Sequence, residues 1–327
     1  MKQPLVKIKG IYKDYQLPKK FLFQKAPVFR ALHGINLELH HGTSFGIVGE
    51  SGCGKSTLAR IVMALDEPTS GTVFFDGQDL FNMPAAKLKH LRRNFQMVFQ
   101  DPYGSLNPRK NILGIVAEPL DTLKEKLSFA QKKERVAKIL TEVGLNATDT
   151  DKFPHEFSGG QRQRIAIARA LITRPSLIVA DESVSALDVS VQAQVLNLMM
   201  DLQEKYNLTY MFISHDLSVV EYVTDQVAVI YMGKIVEQGT TKTLFHGPLH
   251  PYTQTLLRAV PDVNPLNKKQ KNKPVIPLFK KTDMSCPFID RCHKATKTCV
   301  DNAPELLGND GHLVACFNAS GSPAATS

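Results

Sequence analysis

An α/β fold built on a buried, largely parallel sheet is what this sequence predicts, and three observations predict it. Short apolar runs recur with helical stretches between them: one ending at Val48, then Leu177-Ile178-Val179-Ala180, then Tyr210-Met211-Phe212-Ile213. Each has the length of a strand covered on both faces. The first run leads into Gly49-Glu50-Ser51-Gly52-Cys53-Gly54-Lys55-Ser56-Thr57, which fits G-x-x-x-x-G-K-[ST], and a helix-forming run, Leu58 to Leu65, follows it. The second run ends on Asp181-Glu182. Two carboxylates at the end of a buried strand are costly unless a cation or substrate meets them there.

The glycine loop has a specific chemistry. Polyphosphate oxygens need many donors at short range, glycines let backbone N–H groups approach them, and a helix N-terminus adds partial positive charge. Lys55 would reach the β- and γ-phosphates and Ser56 would offer its hydroxyl to Mg²⁺. Asp181 would help hold that ion, and Glu182 would polarise water for attack on the γ-phosphate. Alone, the loop could be a turn before a helix, and the acids could answer a helix dipole. Together they point to nucleotide hydrolysis.

With 327 residues the chain has room for two domains, or one with an appendage. Apolar residues at 43% and charged residues at 22% describe an ordinary globular protein. No apolar run is long enough to cross a bilayer, and the segment MKQPLVKIKG lacks the apolar core of a secretory signal. The formal net charge of +9 suits an anionic partner such as nucleotide, nucleic acid or membrane, or simply a solvated basic surface.

The remaining elements follow in order. Residues 1–42 read as short strands and turns, with Val6–Lys9 and Ile35–Leu39 alternating, a basic Phe-bearing loop at 16–30, and a turn at Gly42. Ser128 and Gln131 fit a capping box, and Val136, Ile139, Leu140 and Val143 form a helical stripe that stops at Gly144. They belong to a small helical lobe at roughly 100–155. Val191 to Tyr206 reads as a helix, and 226–238 as a hairpin turning at Gly233. Residues 261–283, rich in Pro, Lys and Asn, read as a linker, and a four-cysteine module at 284–317 precedes a Ser/Ala/Gly tail.

Phe157-Ser158-Gly159-Gly160-Gln161 opens a further helix. Ser158 and Gln161 form a second capping-box pattern, yet two glycines in a first turn cost about 1 kcal/mol each relative to alanine. A phosphate approaching the backbone would explain that cost.

The phosphate loop, Gln100, FSGGQ at 157–161, LIVADE at 177–182, SALD at 185–188 and His215 stand in the order of an ABC-transporter ATPase subunit, which the chain resembles over most of its core. The resemblance implies a phosphate-loop core of ABC type: a mixed sheet with helices, an antiparallel β subdomain and a helical subdomain, here with a small C-terminal cysteine module. It implies ATP and Mg²⁺ as ligands. Tyr15 would stack on adenine. Gln100 would touch Mg²⁺ and the attacking water and link to the membrane subunits. Ser158, Gly159, Gly160 and Gln161 would bind the γ-phosphate of ATP held by the opposite subunit. Asp188 would lie at the dimer interface, and His215 would contact the γ-phosphate. One position departs from the family: Ser183 stands where Pro usually follows the Asp-Glu pair. The freed N–H and φ would hold Glu182 less rigidly, with a modest effect on rate.

Gln100-Asp101-Pro102-Tyr103-Gly104-Ser105-Leu106-Asn107-Pro108-Arg109, and His250-Pro251-Tyr252-Thr253 with Leu256 and Leu257, resemble segments of peptide-permease ATPases. The match implies residues 1–260 as the ATPase domain and 261–327 as a peptide-permease extension. It implies a second ATPase subunit, usually a paralogue, and two membrane-spanning permease subunits. An extracytoplasmic peptide-binding protein would act indirectly. The chain would sit peripherally on the cytoplasmic face of the membrane, and no nucleic-acid partner is expected. Nickel importers share much of this pattern. A soluble ABC ATPase acting on nucleic acid would also suit the charge, although such proteins carry two cores per chain or insertions within the core. The intact carboxylate pair argues against a nucleotide-binding module that does not hydrolyse.

Cys286, Cys292, Cys299 and Cys316 follow the spacing C-x5-C-x6-C-x16-C. In a reducing compartment such clustering suggests a metal rather than disulfides. Zinc sites usually show tighter pairs, whereas iron–sulfur clusters accept irregular spacing. The related ATPases carry four cysteines here and imply a [4Fe–4S] cluster, with zinc or no metal as the alternatives.

Overall fold

The computed structural model describes residues 3–19, 26–101, 103–123, 126–259, 282, 284–309 and 311–319. Strands β1 (Val6–Gln16) and β2 (Val28–Leu39) lead to β3 (Ser44–Val48), which feeds the glycine loop and α1 (Lys55–Val62). Then come β4 (Ser70–Phe75), β5 (Gln78–Asp79), α2 (Ala85–Leu91) and β6 (Phe95–Val98). Helices α3 (Ile112–Val116), α4 (Phe129–Glu142) and α5 (Gly159–Leu171) precede β7 (Leu177–Asp181), α6 (Val189–Tyr206), β8 (Thr209–Ser214) and α7 (Leu217–Val223). The hairpin β9 (Gln226–Tyr231) and β10 (Lys234–Thr240) is followed by α8 (Thr241–His246) and α9 (Pro251–Ala259). Near the C-terminus lie α10 (Lys297–Asp301), β11 (Leu307–Asn309) and β12 (His312–Val314).

Two compact units are gathered from separate stretches. Met1–Ile11, Asn36–Ser44 and Ser56–Ile213 make one, and Tyr12–Ile35, Phe45–Lys55 and Ser214–Ser327 the other. In the first unit, β6, β7 and β8 form a parallel ladder, with Phe95 opposite Leu177 and Leu177 opposite Thr209. The first four residues of β7 and all six of β8 are buried, as expected of strands covered on both faces. A separate four-stranded sheet has the order β2-β1-β4-β5.

The helical lobe follows from its caps. Ser128 starts α4 with both capping-box hydrogen bonds in place, and Val136, Ile139 and Leu140 bury the predicted stripe. Gly144 then takes φ +73, a left-handed turn that stops the helix. Helix α6 stops likewise, at Asn207 with φ +50.

In the second unit, β3 runs parallel to β9, β9 is antiparallel to β10, and β12 joins β10 with Glu237 opposite Val314. The sheet is therefore mixed. Met232 and Gly233 both have positive φ, which closes the β9–β10 hairpin with the twist that adjoining strands need. Val48, Val229, Tyr231, Leu244 and Tyr252 share one core with Cys286, Phe288, Ile289, Cys292 and Cys299. The Tyr231 and Phe288 rings meet edge-on at 5.2 Å, and Tyr231 and Tyr252 lie 4.5 Å apart. Burial of a side chain like Phe288 contributes about 2–3 kcal/mol.

The structure differs from the sequence reading at several ends. The N-terminal strands are long, 11 and 12 residues, and β2 starts at Val28, inside the predicted loop. Helix α1 starts at Lys55 rather than Leu58, because the loop delivers its lysine directly into the first turn. The predicted linker lies outside the described residues save for 282, as does the tail from 320.

Candidate nucleotide site

The glycine loop is held from beneath by its own unit. A Cβ on Gly49, where φ is +153, would lie 2.2 Å from the carbonyl oxygen of Ile230, and one on Gly54 2.8 Å from that of Ala31. No side chain fits there. The Gly233 N–H donates to the Cys53 carbonyl at 2.9 Å, and Cys53 N–H to the Glu50 carbonyl at 3.3 Å. Lys55 is 5% exposed, and its Nζ donates to the carbonyls of Gly49 at 2.7 Å and Glu50 at 3.1 Å. A buried ammonium must find such acceptors. The Glu50 N–H donates to Tyr252 Oη at 2.9 Å, and its carboxylate accepts a bidentate pair from Arg291, both at 2.8 Å. Burial pushes the Cys53 thiol above its ordinary value. Tyr15, half-buried near the end of β1, lies under the Lys13 ammonium, 5.0 Å from its ring centre. His215, exposed, follows directly after β8.

In the other unit, Ser56 Oγ lies 3.4 Å from Asp181 Oδ1. Gln100 Nε2 donates to Glu182 Oε2 at 2.8 Å. Glu182 adopts φ +47, and its N–H donates to the Ile213 carbonyl at 2.8 Å. Ser185 bonds the Glu182 carbonyl through both its N–H, at 3.1 Å, and its hydroxyl, at 2.9 Å. The predicted ion holders and water activator thus meet in two short pairs.

Ser158 caps α5 with a complete capping box shared with Gln161. A Cβ on Gly159 would meet Leu187 Cδ2 at an ordinary 3.6 Å, whereas one on Gly160 would come within 2.4 Å of Val191 Cγ1. Gly160 therefore has a packing reason of its own, one absent from the sequence reading. Asp188 is exposed at the N-cap position of α6 and makes no side-chain capping bond.

Cys286, Cys292, Cys299 and Cys316 line one cavity with His250, Phe288, Ile289, Ala295 and Phe317. Cys299 Sγ lies 3.4 Å from Thr296 Oγ1 and accepts from Asn318 Nδ2 at 3.6 Å. Among the described residues, no group of three or more His, Cys, Asp or Glu side chains is drawn together as a metal-ion site. Burial pushes the thiols of Cys286, Cys292 and Cys316 up. It pushes His250 down to about 4, so this imidazole is neutral, and its Nδ1 accepts from the Tyr252 N–H at 3.0 Å.

Two residues at the loop lay beyond sequence reasoning. Tyr252 stood out only within a subfamily segment, and Arg291 only as a neighbour of Cys292. They reach Glu50 from 202 and 241 residues away, a separation that no local pattern reports.

The lysine-bearing glycine loop and, taken separately, the serine–aspartate and glutamine–glutamate pairs are the features of a phosphate-loop ATPase of the ATP-binding-cassette class. The profile described as "ABC transporter" matches residues 32–185, and that described as "Oligopeptide/dipeptide transporter, C-terminal region" matches 236–299. The dipeptide transport ATP-binding protein DppF of Haemophilus influenzae is 48% identical over 318 residues, covering 96% of this chain and 97% of that protein. The oligopeptide transport ATP-binding protein OppF of Salmonella typhimurium is 45% identical, covering 94% and 93%. Among solved structures, the ATP-binding cassette MJ0796 in a dimeric post-hydrolysis state bound to ADP and Pi superposes with a TM-score of 0.64 at 29% identity, over 72% of this chain and 98% of that one. This chain belongs to the dipeptide/oligopeptide family of ABC transporter ATP-binding subunits.

Proposed function

We propose that this chain binds and hydrolyses ATP to drive import of di- or oligopeptides through membrane-spanning subunits. The observation that carries the reading is the pairing of Ser56 with Asp181 and of Gln100 with Glu182, in a chain whose C-terminal region matches the peptide-transporter profile. The relatives are named for dipeptide and oligopeptide transport, which favours peptide over nickel as cargo. Among the described residues no helix is long and apolar enough to cross a membrane. In this reading, which the relatives' names support, the chain would sit peripherally on the cytoplasmic face, below two permease subunits, paired with a second ATPase and supplied indirectly by an extracytoplasmic peptide-binding protein.

Residues 49–57 would wrap the triphosphate. Lys55 would exchange the carbonyls of Gly49 and Glu50 for β- and γ-phosphate oxygens. Ser56 and Asp181, with Gln100, would hold Mg²⁺, which supplies charge neutralisation as the phosphoryl group leaves. Glu182 would accept a proton from the attacking water, with the Gln100 amide donating to the Glu182 carboxylate and so orienting it. Tyr15 would stack on adenine, and His215 would meet the γ-phosphate. Ser158, Gly159, Gly160 and Gln161 would cap the nucleotide of the opposite subunit, with Asp188 at the junction. Nucleotide binding would then favour dimerisation by mass action.

The four cysteines suit a [4Fe–4S] cluster better than zinc. Zinc sites usually show tighter cysteine pairs than the C-x5-C-x6-C-x16-C spacing found here. The four cysteines line one cavity with an amide donor beside Cys299, and a cluster held by four thiolates accepts their irregular spacing. Cys286, Cys292, Cys299 and Cys316 would be its ligands, and it would supply cross-linking of the segment and one-electron chemistry. Iron and sulfide analysis of anaerobically purified protein tests this. Stoichiometric iron and sulfide, lost in Cys292→Ser, is expected, and stoichiometric zinc instead would reverse the assignment.

Reconstitution of the chain with its paralogue and permease subunits in proteoliposomes tests the function. Peptide uptake should require ATP. Lys55→Ala should weaken nucleotide binding. Glu182→Gln should retain ATP while hydrolysis falls by roughly 100-fold or more. Uptake indifferent to both changes would overturn the reading.

A further inference from the structure

Two residues, Tyr252 on α9 and Arg291 in the C-terminal segment, close on the second residue of the phosphate loop. Arg291 Nη1 and Nη2 donate to Glu50 Oε2 and Oε1, each at 2.8 Å. Tyr252 Oη accepts the Glu50 N–H at 2.9 Å. The side chain and the backbone of one loop residue are therefore both tied, and both ties come from outside the ATPase motifs.

Neither anchor is loose. Arg291 ends a short 3-10 turn, Ile289–Arg291, and its N–H donates to the Phe288 carbonyl at 3.1 Å. Phe288 is buried against Tyr231 and Tyr252. Tyr252 is fully buried, so its hydroxyl is delivered to Glu50 by the core itself.

Glu50 would be a poor neighbour for ATP if left alone. Its carboxylate stands within the glycine loop, where a polyanion must settle, and like charges at short range repel. Its carbonyl is also one of the two that hold the Lys55 ammonium. A bidentate arginine cancels the charge and fixes the geometry in one contact, which a lysine point charge does less well.

We propose that Arg291 and Tyr252 are positioning residues for ATP binding: acting through Glu50, they neutralise and fix the phosphate loop, so that α9 and the C-terminal segment together set the nucleotide affinity of this subunit. The proposal rests on the reading of residues 49–57 as the ATP loop. It assigns the segment a role that does not depend on which group its cysteines hold.

The test measures equilibrium binding of Mg-ATP to the full-length chain, made in the Glu182→Gln background so that ATP persists, together with KM and kcat in the otherwise native chain. Arg291→Met is expected to raise the dissociation constant about fivefold, the upper end for a partly exposed ion pair. Its KM should rise in parallel while kcat at saturating ATP stays within about twofold. Tyr252→Phe should weaken binding by up to about tenfold, through loss of one hydrogen bond to the loop. Adding Glu50→Gln to Arg291→Met should restore affinity, because the charge to be neutralised is gone. Unchanged dissociation constants in both single variants overturn the proposal, and so does a double variant as weak as Arg291→Met. If Arg291→Met melts below the assay temperature, Arg291→Lys takes its place, with affinity between parent and Met expected and parental affinity counting against the proposal. Failure of the folded parent to bind Mg-ATP would instead overturn the nucleotide reading, so the two failures are distinct.

Discussion

Glu182 holds its carboxylate on a left-handed backbone, φ +47, a conformation that costs a residue with a Cβ roughly 1–2 kcal/mol. The bonds from its N–H to Ile213 and from Ser185 to its carbonyl offset that cost. They also bear on the missing proline. Ser183 is buried, at 5% exposure, so the turn is held by its neighbours without a fixed φ at that position. Ser183→Pro is therefore expected to change the hydrolysis rate less than about tenfold, and a greater acceleration in a steady-state assay would contradict this. Glu50 supplies a pH dependence. The Arg291 hydrogen bonds hold its carboxyl below the ordinary 4.5. A depressed acid stabilises above its unfolded value and loses that contribution as pH falls through the folded one. The melting temperature of the native chain should thus exceed that of Arg291→Met at neutral pH, and the gap should close in acid below the ordinary carboxylate value.

At the scale of single elements, the loop is shaped by what lies under it. Gly49→Ala would drive a methyl group into the Ile230 carbonyl. Overpacking of this kind costs about 1–3 kcal/mol, and the loop must shift to absorb it. Loss of Mg-ATP binding with a lowered melting temperature is expected, and an alanine variant that binds normally would show the contact to be soft. This loop was legible in the sequence because its function demands glycines at fixed spacing. The caps at Ser128 and Ser158 were legible because a capping box is a four-residue device. The packing of Gly160 against Val191 was not, because it joins two helices 31 positions apart by number. Helix α7 carried a readable signal that went unread: Asp216 caps it through the N–H groups of Ser218 and Val219.

Across the whole molecule, the C-terminal segment is built into the unit that carries the phosphate loop. Strand β12 pairs with β10, and the buried Glu237 carboxylate accepts the N–H groups of Leu249 at 2.7 Å and His250 at 3.0 Å, with His312 Nε2 also at 2.7 Å. Removing one partner of a buried charge is expensive. A chain ending after Ala259 would strip His312 from Glu237, bare the β10 edge and uncover Tyr231 and Tyr252. It should melt lower and aggregate, whereas a truncated chain as stable as the full one would show the segment to be an ornament. The cysteine spacing pointed to a cluster of thiols but was silent about these ties, since β11 and β12 are only three residues each and carry no apolar pattern.

The 241 positions between Glu50 and Arg291 also set an order of events during synthesis. The glycine loop leaves the ribosome early, while the arginine that clamps it is still unmade. A nascent chain carries every ATPase motif before it owns the clamp, so on this proposal full grip on nucleotide arrives only after residue 291 has been added.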